Sequence, residues 1–381
     1  MADNDFQTKS IGILGGGQLG RMLIQEAVNL NIPIAVLDPD PDAPCKNIAD
    51  RFEVGSFQDY ETVINFGRSV DVLTVEIEHV NVDALEALEK EGKKVRPSSA
   101  ILRVVQDKGA QKEFYKSHGI PTSEFILVND RTEIATNSHF LPSMQKLRKG
   151  GYDGKGVTAL RSKNELEKAF DAPSVLEKMI DIDKEFAVIV SRNPSGQMAT
   201  YPAVEMEFNR DANLVDLLFA PSGLTESQCA TATTIAKRLA ESLELEGVLA
   251  VEFFLTTDGE ILVNEIAPRP HNSGHSTIEG NVTSQFEQHL RSILDLPPGN
   301  TDLLSASVMI NVLGESGHVG IANYRGLSSC LSMSGVHIHL YGKKFTKPFR
   351  KMGHVTICSN DLEQALSTAK QVQKTLKVIS E

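Results

Sequence analysis

Short apolar runs alternate with amphipathic stretches over the first part of the chain. Ile11–Leu14, Ile34–Leu37 and Val70–Val75 are rich in β-branched residues and leucine, whereas the stretches between them have apolar residues at helical spacing. Strands that alternate with helices in this way are typical of an open parallel sheet covered by helices. The pattern therefore predicts an N-terminal α/β domain over residues 1–104.

A second and longer region of mixed pattern follows. After a predicted helix over Lys108–His118 come several β-rich runs, a long amphipathic helix over Glu226–Leu243 and a predicted hairpin over Val248–Ile266. We expect one domain here, with predicted bounds of 105–297.

The last region is predicted to be a small β-rich domain over residues 298–381. Pro297-Pro298-Gly299-Asn300 has the composition of a linker. Beyond it, β-rich runs lead to a closing helix over Asp361–Lys377 that has one apolar face. That face is formed by Leu362, Ala365, Leu366, Ala369 and Val372. The predicted fold class is therefore α/β (α+β).

Composition narrows the classes of function. The chain of 381 residues has a formal net charge of −12 and a pI near 5.4, so nucleic-acid binding, which needs an excess of Lys and Arg, is not expected. No apolar run is long enough to cross a bilayer, and Met1–Ser10 does not resemble a signal peptide. The four cysteines are scattered, as in a reduced cytosolic protein. We expect a cytoplasmic protein that binds small molecules, with no membrane or nucleic-acid partner.

A glycine cluster, Gly15-Gly-Gly17-Gln-Leu-Gly20, follows the first predicted strand and precedes a helix. With Asp38 at the end of the next strand, it fits a dinucleotide fingerprint, in which glycines approach a phosphate and the carboxylate binds ribose hydroxyls. That interpretation would make the chain an NAD-dependent oxidoreductase. A tight turn and a phosphate site for another substrate are the alternatives.

Lys146 precedes a second glycine-rich segment, Gly150-Gly-Tyr-Asp-Gly-Lys-Gly156. Its backbone N–H groups could wrap phosphates, and Lys146 and Lys155 would add positive charge. A surface turn between strands is the alternative. The lysine on the preceding strand favours a phosphate-binding lid.

Two carboxylates are predicted to oppose each other on the hairpin. Asp258-Gly259 is a strong two-residue turn signal between the runs Val248–Leu255 and Glu260–Ile266. In that register Glu252 lies opposite Glu265, where like charges destabilise a sheet. Because oxygen ligands suit Mg²⁺, the pair predicts a metal site. An exposed pair with splayed side chains is the alternative.

Polar side chains crowd the loop that follows this hairpin. Arg269 and His271 could bind an anionic group, and Asn272 and Ser273 could orient it. His271 and His275 could instead bind zinc, but a loop rich in Pro and Gly does not place them on one helix face. Anion binding is the favoured interpretation of this loop, and a purely structural loop is the other alternative.

Two further carboxylates, Glu177 and Glu185, lie at or beyond the end of the predicted strand Ser174–Leu176. A carboxylate there could bind a ribose diol. Acidic residues after strands are also commonly just solvated, so the pattern alone does not decide between the two.

These motifs together resemble those of one family. Over nearly its whole length the chain resembles the 5-(carboxyamino)imidazole ribonucleotide synthases, the ATP-grasp enzymes that are also known as the ATPase subunit of phosphoribosylaminoimidazole carboxylase. The matching segments are Gly15–Met22, Thr74–His79, Gln106–Lys108, Gln111–Lys112, Gly151–Gly156, Asn264–His275, Ser284–Arg291 and Arg350–His354. The resemblance implies an ATP-grasp fold, in which residues 105–176 are a lid and residues 177–297 a core.

The resemblance also implies the ligands and the residues that bind them. ATP with Mg²⁺ or Mn²⁺ is expected between the lid and the core, with Glu252 and Glu265 as metal ligands. The implied ATP-binding residues are Lys108, Lys146, Gly151, Tyr152, Asp153, Gly154, Lys155, Gly156, Glu177, Lys178, Met179, Ile180, Glu185, Phe208, Asn264 and Glu265. The implied substrate-binding residues are Gly17, Gln18, Leu19, Glu76, Tyr152, Lys155, Arg269, His271, Asn272, Ser273, Arg350 and Lys351.

The implied reaction joins bicarbonate to 5-aminoimidazole ribonucleotide in purine biosynthesis. It yields N5-carboxyaminoimidazole ribonucleotide, ADP and phosphate through carboxyphosphate. The implied catalytic residues are Asp153, Arg269, His271 and Lys351. A homodimer is also expected. An ATP-grasp ligase that activates another acid and a catalytically silent nucleotide-binding regulator are the alternatives.

Three positions depart from the family pattern. Phe208 stands where a histidine near the nucleotide is common, Ser276 where an aromatic residue is common, and Lys108 where arginine is common. The lysine keeps the positive charge. None of the three removes a chemical group that the reaction needs.

Overall fold

The N-terminal region of the computed structural model is a parallel sheet covered by helices. The structure describes residues 9–151, 156–209 and 214–380. The elements of this region are β1 (Ile11–Leu14), α1 (Gln18–Asn29), β2 (Ile34–Asp38), β3 (Arg51–Val54), α2 (Tyr60–Arg68), β4 (Val72–Val75), α3 (Val82–Lys90), β5 (Lys94–Val95) and α4 (Ser99–Val105). All its strands are parallel, in the order β3-β2-β1-β4-β5. The predicted open sheet is confirmed.

Both faces of this sheet are covered, which explains the continuous apolar runs of its strands. Ile11, Ile13 and Leu14 of β1 are completely buried. One face packs against α1 and a later helix at residues 285–293, and the other packs against α2 and α3. Strands of such a sheet read as apolar runs and not as alternating patterns. The glycine cluster follows β1 at the carboxyl edge of the sheet, where open α/β sheets form binding sites.

The region predicted to be the lid contains a four-stranded antiparallel sheet, whose last strand runs two residues past the predicted bound at residue 176. Its elements are α5 (Lys108–Ser117), β6 (Phe125–Val128), α6 (Arg131–Thr136), β7 (Ser143–Leu147), β8 (Val157–Leu160) and β9 (Ser174–Lys178), with 3₁₀ turns at Ser138–Phe140 and Lys163–Lys168. The strand order is β6-β9-β7-β8. The side chain of Asp107 caps α5 by accepting hydrogen bonds from the N–H groups of Gly109 and Ala110. α5 packs against β9, which brings its lysines to the inner side of the lid.

One large sheet runs through the rest of the chain. The elements are β10 (Ile182–Arg192), β11 (Met198–Thr200), β12 (Val204–Asn209), β13 (Leu214–Ala220), α7 (Glu226–Ser242), β14 (Gly247–Thr256), β15 (Ile261–Ala267), a 3₁₀ turn (Asn272–Gly274), α8 (Thr277–Gly280), α9 (Gln285–Ile293), β16 (Ala306–Leu313), β17 (Gly320–Arg325), α10 (Leu327–Leu331), β18 (Val336–Leu340), β19 (Phe345–Thr346), β20 (Lys351–Ser359), α11 (Leu362–Thr375) and β21 (Lys377–Ser380). The sheet has the order β15-β14-β10-β12-β13-β16-β20-β18, and β11 pairs with β10. Because β13 pairs with β16, it spans the predicted boundary between residues 297 and 298. That boundary itself stays a prediction.

The closing helix α11 covers one face of this sheet, as its apolar pattern predicts. Ala365, Ala369 and Val372 are completely buried, and Leu362 and Leu366 pack partly buried beside them. A small sheet in the order β19-β17-β21 lies in the same region. The predicted apolar face of the helix is therefore confirmed.

α7 spans 17 residues and begins with a capping box between Thr225 and Gln228. It buries Ala232, Ala236 and Leu239 in the main core cluster of the large sheet.

Within the described ranges, none of the helices combines the length and the apolar character needed to cross a membrane.

Candidate active site

Glu252 on β14 and Glu265 on β15 lie directly opposite each other, as the sequence predicts. The turn that joins the two strands differs from the prediction. The Thr256 N–H donates to the Glu260 carbonyl at 2.9 Å, so the loop has the three residues Thr257–Gly259. Gly259 takes a φ of +91°, as the last residue of such loops commonly does. The predicted two-residue turn is therefore wrong.

A β-bulge at Asn264 restores the pairing of the two carboxylates. Phe253 pairs with Val263, one residue away from the predicted register, whereas Glu252 pairs with Glu265. Asn264 is the extra residue between the two pairs. Bulges bend a strand and re-aim its side chains, and they are common beside active sites.

Two lysines of the lid reach this hairpin. Lys108 Nζ, at the start of α5, lies 2.5 Å from Glu265 Oε2. Lys146 Nζ, on β7, lies 3.0 Å from Asn264 Oδ1. Consecutive side chains of the bulged strand thus contact different lysines. A cluster of opposed carboxylates and ammonium groups suits a polyphosphate that carries a divalent cation.

The carboxyl groups of this cluster have divergent pKa values. Burial, together with the charges of Glu265 and Glu185, raises the pKa of Glu252 to about 8. The Lys108 ammonium group lowers the pKa of Glu265 to about 2, against the effect of burial. Burial also raises the pKa of Glu185, on β10, to about 7. A cation bound here would favour the charged forms of these groups.

The Glu177 carboxylate is paired with two lysines, and its implied role in binding the nucleotide stays a prediction. Its side chain is 5% exposed, with Lys112 Nζ at 2.9 Å from Oε2 and Lys146 Nζ at 3.0 Å from Oε1. The Ser123 hydroxyl donates to Oε2 at 2.7 Å. Burial acts to raise the pKa of Glu177, but the two lysines lower it to about 2. Glu177 therefore anchors Lys146, which also contacts Asn264.

The other residues implied for the nucleotide lie near the strands of the lid and their junction with the core. Lys178 Nζ lies 4.7 Å from the centroid of the Phe140 ring, and the Met179 N–H donates to the Pro142 carbonyl at 3.1 Å. Gly156 takes a φ of +74°, which favours glycine there. The roles of the partly exposed Gly151 and Ile180 stay predictions. Tyr152, Asp153, Gly154, Lys155 and the side chain of Phe208 lie outside the described residues, so their roles also stay predictions.

The N-terminal glycine cluster closes on carboxylates of its own chain. The Gly16 N–H donates to Asp38 Oδ2 at 2.6 Å, and the Leu19 N–H donates to Glu76 Oε1 at 3.1 Å. A side chain at Gly17 would collide with the Glu76 carboxylate. The dinucleotide interpretation is therefore wrong, because Asp38 binds the loop backbone and Glu76 takes the helix N-terminus that a pyrophosphate would need.

Arg269, in the loop after β15, is held by the N-terminal region. Its Nε lies 2.8 Å from Glu78 Oε1, and the two side chains are 17% and 16% exposed. Its Nη1 donates to the Pro270 carbonyl at 2.9 Å. Burial raises the pKa of Glu76, and the charge of Arg269 acts to lower it. Arg269 thus lies between the core loop and the segment that follows β4.

His271 is oriented by Ser273. Its Nδ1 lies 2.9 Å from Ser273 Oγ and accepts a hydrogen bond from the Ser273 N–H at 3.3 Å. Because Nδ1 accepts, the ring proton belongs on Nε2, which lies 3.5 Å from Glu252 Oε1. Ser273 is 2% exposed and supports His271, and its implied contact with the substrate stays a prediction. Asn272 is partly exposed beside it.

His275 connects this loop to β20. His275 and His354 are completely buried, with ring centroids 4.6 Å apart. Burial holds the pKa of both imidazoles well below their usual range, so they pack as neutral rings whose planes are tilted by 36°. Since His275 faces the interior, the zinc interpretation is not supported. In the described ranges no group of three or more His, Cys, Asp or Glu side chains is placed to hold a metal ion.

The start of β20 brings basic residues to the N-terminal glycine cluster. Lys343 Nζ donates to the Lys351 carbonyl at 2.7 Å and to Gln18 Oε1 at 2.8 Å. Arg350 Nη1 donates to the Phe345 carbonyl at 2.6 Å. Lys343 therefore links the implied substrate residue Gln18 to the backbone of another, Lys351.

Three residues of these clusters were not predicted as site residues. Lys112 and Glu78 lie inside segments that carry the family resemblance, but their partners are far away in sequence, so no local pattern indicates the contacts. For Lys343 the sequence does contain a signal, because this lysine belongs to the basic run from Lys343 to Lys351 in an acidic chain.

Three domain families match successive parts of the chain. The ribonucleotide synthetase preATP-grasp domain matches residues 8–106, and the ATP-grasp domain matches residues 113–286. The phosphoribosylaminoimidazole carboxylase C-terminal domain matches residues 307–368. Most of the chain is thus similar to one known arrangement of domains.

Solved structures and curated proteins extend this similarity over nearly the whole chain. The N5-carboxyaminoimidazole ribonucleotide synthetase from Thermotoga maritima is 45% identical with a TM-score of 0.91, covering 98% of this chain and 100% of that one. The N5-carboxyaminoimidazole synthase from Aspergillus clavatus, in complex with ADP and 5-aminoimidazole ribonucleotide, is 34% identical with a TM-score of 0.89, covering 97% of this chain and 98% of that one. The chloroplastic phosphoribosylaminoimidazole carboxylase of Vigna aconitifolia is 40% identical over 361 residues, which are 92% of this chain but only 64% of that protein. The predicted ATP-grasp fold is confirmed, and the chain belongs to the N5-carboxyaminoimidazole ribonucleotide synthase family of ATP-grasp proteins.

Proposed function

We propose that this protein uses ATP to carboxylate 5-aminoimidazole ribonucleotide with bicarbonate in purine biosynthesis. The products are N5-carboxyaminoimidazole ribonucleotide, ADP and phosphate. The observation that carries the proposal is the contact of the Arg269 and His271 loop with the Glu252 and Glu265 hairpin, in which His271 Nε2 lies 3.5 Å from Glu252 Oε1. In the region implied for the ribonucleotide, Lys343 bridges Gln18 and the Lys351 carbonyl. The Aspergillus relative was solved with ADP and 5-aminoimidazole ribonucleotide, which supports one nucleotide site and one ribonucleotide site.

The hairpin and the lid lysines would bind the triphosphate. Lys108 and Lys146 reach the hairpin from the lid and contact Glu265 and Asn264. In phosphoryl transfer, catalysis is largely positioning and stabilisation of the charge on the transferred group. Lys146 is held by the buried Glu177, so its ammonium group can meet that charge with little reorganisation.

The donor atoms of the hairpin fit Mg²⁺ or Mn²⁺. Glu252 and Glu265 present carboxylate oxygens from opposite strands, and hard cations prefer oxygen ligands, which phosphates and water can complete. The pKa of Glu252, raised to about 8 by burial and by neighbouring carboxylates, indicates an excess of acidic groups that a cation would offset. The bound metal would neutralise charge on the phosphate oxygens.

Arg269 and His271 would hold bicarbonate and then carboxyphosphate. A guanidinium group and an imidazole N–H are suitable donors for such an anion. A bicarbonate oxygen attacks the γ-phosphorus, which releases ADP and forms carboxyphosphate. The exocyclic amine of the ribonucleotide then attacks the carboxyl carbon, phosphate leaves, and the nitrogen loses a proton. We assign Asp153, outside the described residues, to orient that amine or accept its proton.

The ribonucleotide would lie between the N-terminal glycine cluster and the start of β20. Glu76 and the backbone of Gly17 and Leu19 form one side of this place. Arg350 and Lys351 would form the other side, where they would bind the ribose phosphate and approach the reacting groups.

The test is ADP release by the purified protein in buffer free of carbon dioxide. We expect the full rate only when ATP, bicarbonate and 5-aminoimidazole ribonucleotide are all present. A rate that does not change without the ribonucleotide contradicts the substrate assignment. Equal turnover with formate or another carboxylate in place of bicarbonate would favour a related ligase.

We further propose a homodimer in the cytoplasm. The four free cysteines support this location, because disulfides are rare in cytosolic proteins. Light scattering after size-exclusion chromatography tests the dimer, for which we expect a mass of twice 41.6 kDa.

A further inference from the structure

Glu78 contacts Arg269, the residue proposed above to bind bicarbonate. Its Oε1 lies 2.8 Å from Arg269 Nε, and both side chains are mostly buried. The Pro270 carbonyl accepts a hydrogen bond from Nη1 of the same guanidinium group. The ion pair with Glu78 and the hydrogen bond to Pro270 act on two nitrogens of the guanidinium group, and together they restrict its position.

The segment that carries Glu78 is itself held in place. Gln106 Nε2 donates to the carbonyls of Glu78 at 2.7 Å and Val80 at 2.9 Å. The Val80 N–H closes the turn by donating to the Glu78 carbonyl at 2.9 Å. Two residues after Gln106, Lys108 begins α5 and contacts Glu265 of the hairpin. The support for Glu78 is therefore connected to the lid as well as to the N-terminal sheet.

The two acidic residues of this segment face different partners. Glu76 accepts a hydrogen bond from the Leu19 N–H of the glycine cluster. Glu78 contacts Arg269 in the core loop. One segment of the N-terminal region thus contributes a carboxylate to the ribonucleotide side and another to the side where Arg269 would bind bicarbonate.

We propose that Glu78 is a positioning residue, which holds the Arg269 guanidinium towards the bicarbonate and carboxyphosphate anion. The proposal rests on the function proposed above for Arg269. It adds a residue of the N-terminal region to the machinery of the ATP-grasp core. Through Glu78, the region that binds the ribonucleotide also sets the geometry of the group that holds the carboxyl donor.

The test compares Glu78→Gln with a matched ion pair outside the site. Glu246 contacts Nε of Arg96, which also donates from Nη1 to the Ile293 carbonyl at 2.5 Å. That pair likewise joins the core to the N-terminal region through one Glu and one Arg. Glu246→Gln is therefore the control for loss of an ion pair between these regions.

For Glu78→Gln we expect kcat/KM for bicarbonate to fall about 10- to 100-fold, because a misplacement on the order of 1 Å has effects of this size. The KM for ATP should change by less than about twofold, since uniform ATP binding is not affected. Glu78→Asp keeps the charge on a shorter side chain and should recover part of the loss. Glu246→Gln should keep the wild-type kinetic constants, although its Tm falls as far as that of Glu78→Gln.

A second measurement does not depend on turnover. Arg269 should react several-fold faster with phenylglyoxal in Glu78→Gln than in the wild type, as followed by mass spectrometry of the modified peptide. Unchanged bicarbonate kinetics in Glu78→Gln, or an equal loss in Glu246→Gln, would overturn the positioning role. A wild type that needs no ribonucleotide would instead overturn the proposed function, while the reactivity of Arg269 would still decide whether Glu78 fixes it.

Discussion

At the scale of single residues, Glu252 should make the stability of the protein depend on pH when no metal is bound. Burial and neighbouring carboxylates raise its folded-state pKa from 4.5 to about 8. Between these values the folded state keeps a proton that the unfolded chain has released, so the free energy of unfolding falls as the pH rises. Glu252→Gln removes this loss. Its gain in Tm over the wild type should therefore grow between about pH 4.5 and pH 8 and then level off.

Calorimetry across that pH range without divalent cations checks this expectation. Glu260→Gln, an exposed carboxyl on the same hairpin, is the control. A gain in Tm that is the same at every pH, or the same in both variants, would show that Glu252 does not have a raised pKa in the folded state.

Replacing Glu265 should lower kcat but, unlike replacing Glu252, should not raise the Tm. Lys108 pairs with Glu265 and lowers its pKa to about 2, so Glu265→Gln should bring no gain in Tm without metal. If the opposed carboxylates hold the metal against the phosphates, the variant should lose on the order of 3–4 kcal/mol of transition-state stabilisation, a few hundredfold in kcat. The double variant with Glu252→Gln should lose less than the sum. Steady-state rates decide, and near wild-type kcat in either single variant refutes the metal site.

Glu177 should be a residue of the nucleotide site whose removal also destabilises the lid. Glu177→Gln leaves Lys112 and Lys146 buried without their shared carboxylate, and breaking a buried ion pair in this way costs about 3–5 kcal/mol of unfolding free energy. In the wild type, this carboxylate stabilises the protein above its unfolded pKa of 4.5, and the effect is lost as the pH falls towards about 2. Urea unfolding measures the difference. Glu165→Gln, which breaks the ion pair with the exposed Lys168, should lower the free energy of unfolding far less, and equal losses would contradict the buried network.

At the scale of elements, the hairpin shows how a prediction can reach the right pair through the wrong turn. The sequence signal Asp258-Gly259 predicts a two-residue loop, whereas the chain forms a three-residue loop and then inserts Asn264 as a bulge. The longer loop shifts the pairing by one residue, and the bulge shifts it back by one, so Glu252 still pairs with Glu265. A local turn signal fixes the register only up to the first bulge, because a bulge depends on contacts from outside the hairpin, here that of Lys146 with Asn264.

The three-residue loop gives its own prediction. Gly259 has a φ of +91°, and a Cβ at this position would meet no neighbour within 4 Å. Gly259→Ala should therefore lower the free energy of unfolding by about 1–2 kcal/mol through backbone strain alone, and leave kcat unchanged. Thr257→Ala in the same loop is the control. A loss of activity in Gly259→Ala would mean that the loop does more than join two strands.

Local patterns were sufficient where an element buries its own apolar face. The parallel strands of the N-terminal sheet and the inner face of α11 follow directly from the sequence. Contacts between distant segments were not predictable in this way. Lys112 with Glu177, and Lys343 with Gln18, are ion pairs or hydrogen bonds whose partners have no fixed spacing. The resemblance to a family supplied the site residues but not these supports.

At the scale of the whole molecule, the ribonucleotide site depends on the C-terminal region. Lys351→Ala should raise the KM for the ribonucleotide at least about tenfold, since loss of a charge-assisted contact to a phosphate is a loss of uniform binding. The KM for ATP should hardly change. Lys347→Ala removes an exposed lysine of the same basic run and is the control for its overall charge. An unaltered ribonucleotide KM in Lys351→Ala would leave this lysine as a solvated strand end.

The continuous large sheet makes it unfavourable to cut this chain near residue 297. Pairing of β13 with β16 places strands from either side of residue 297 side by side. A fragment that stopped there would expose one long side of β13, with unpaired N–H and C=O groups beside apolar side chains such as Leu217 and Phe219. Open strand edges of this kind recruit other chains. The catalytic core without its C-terminal region should therefore be prone to aggregation, and the small β-rich region should be inherited and expressed together with the core as one folding unit.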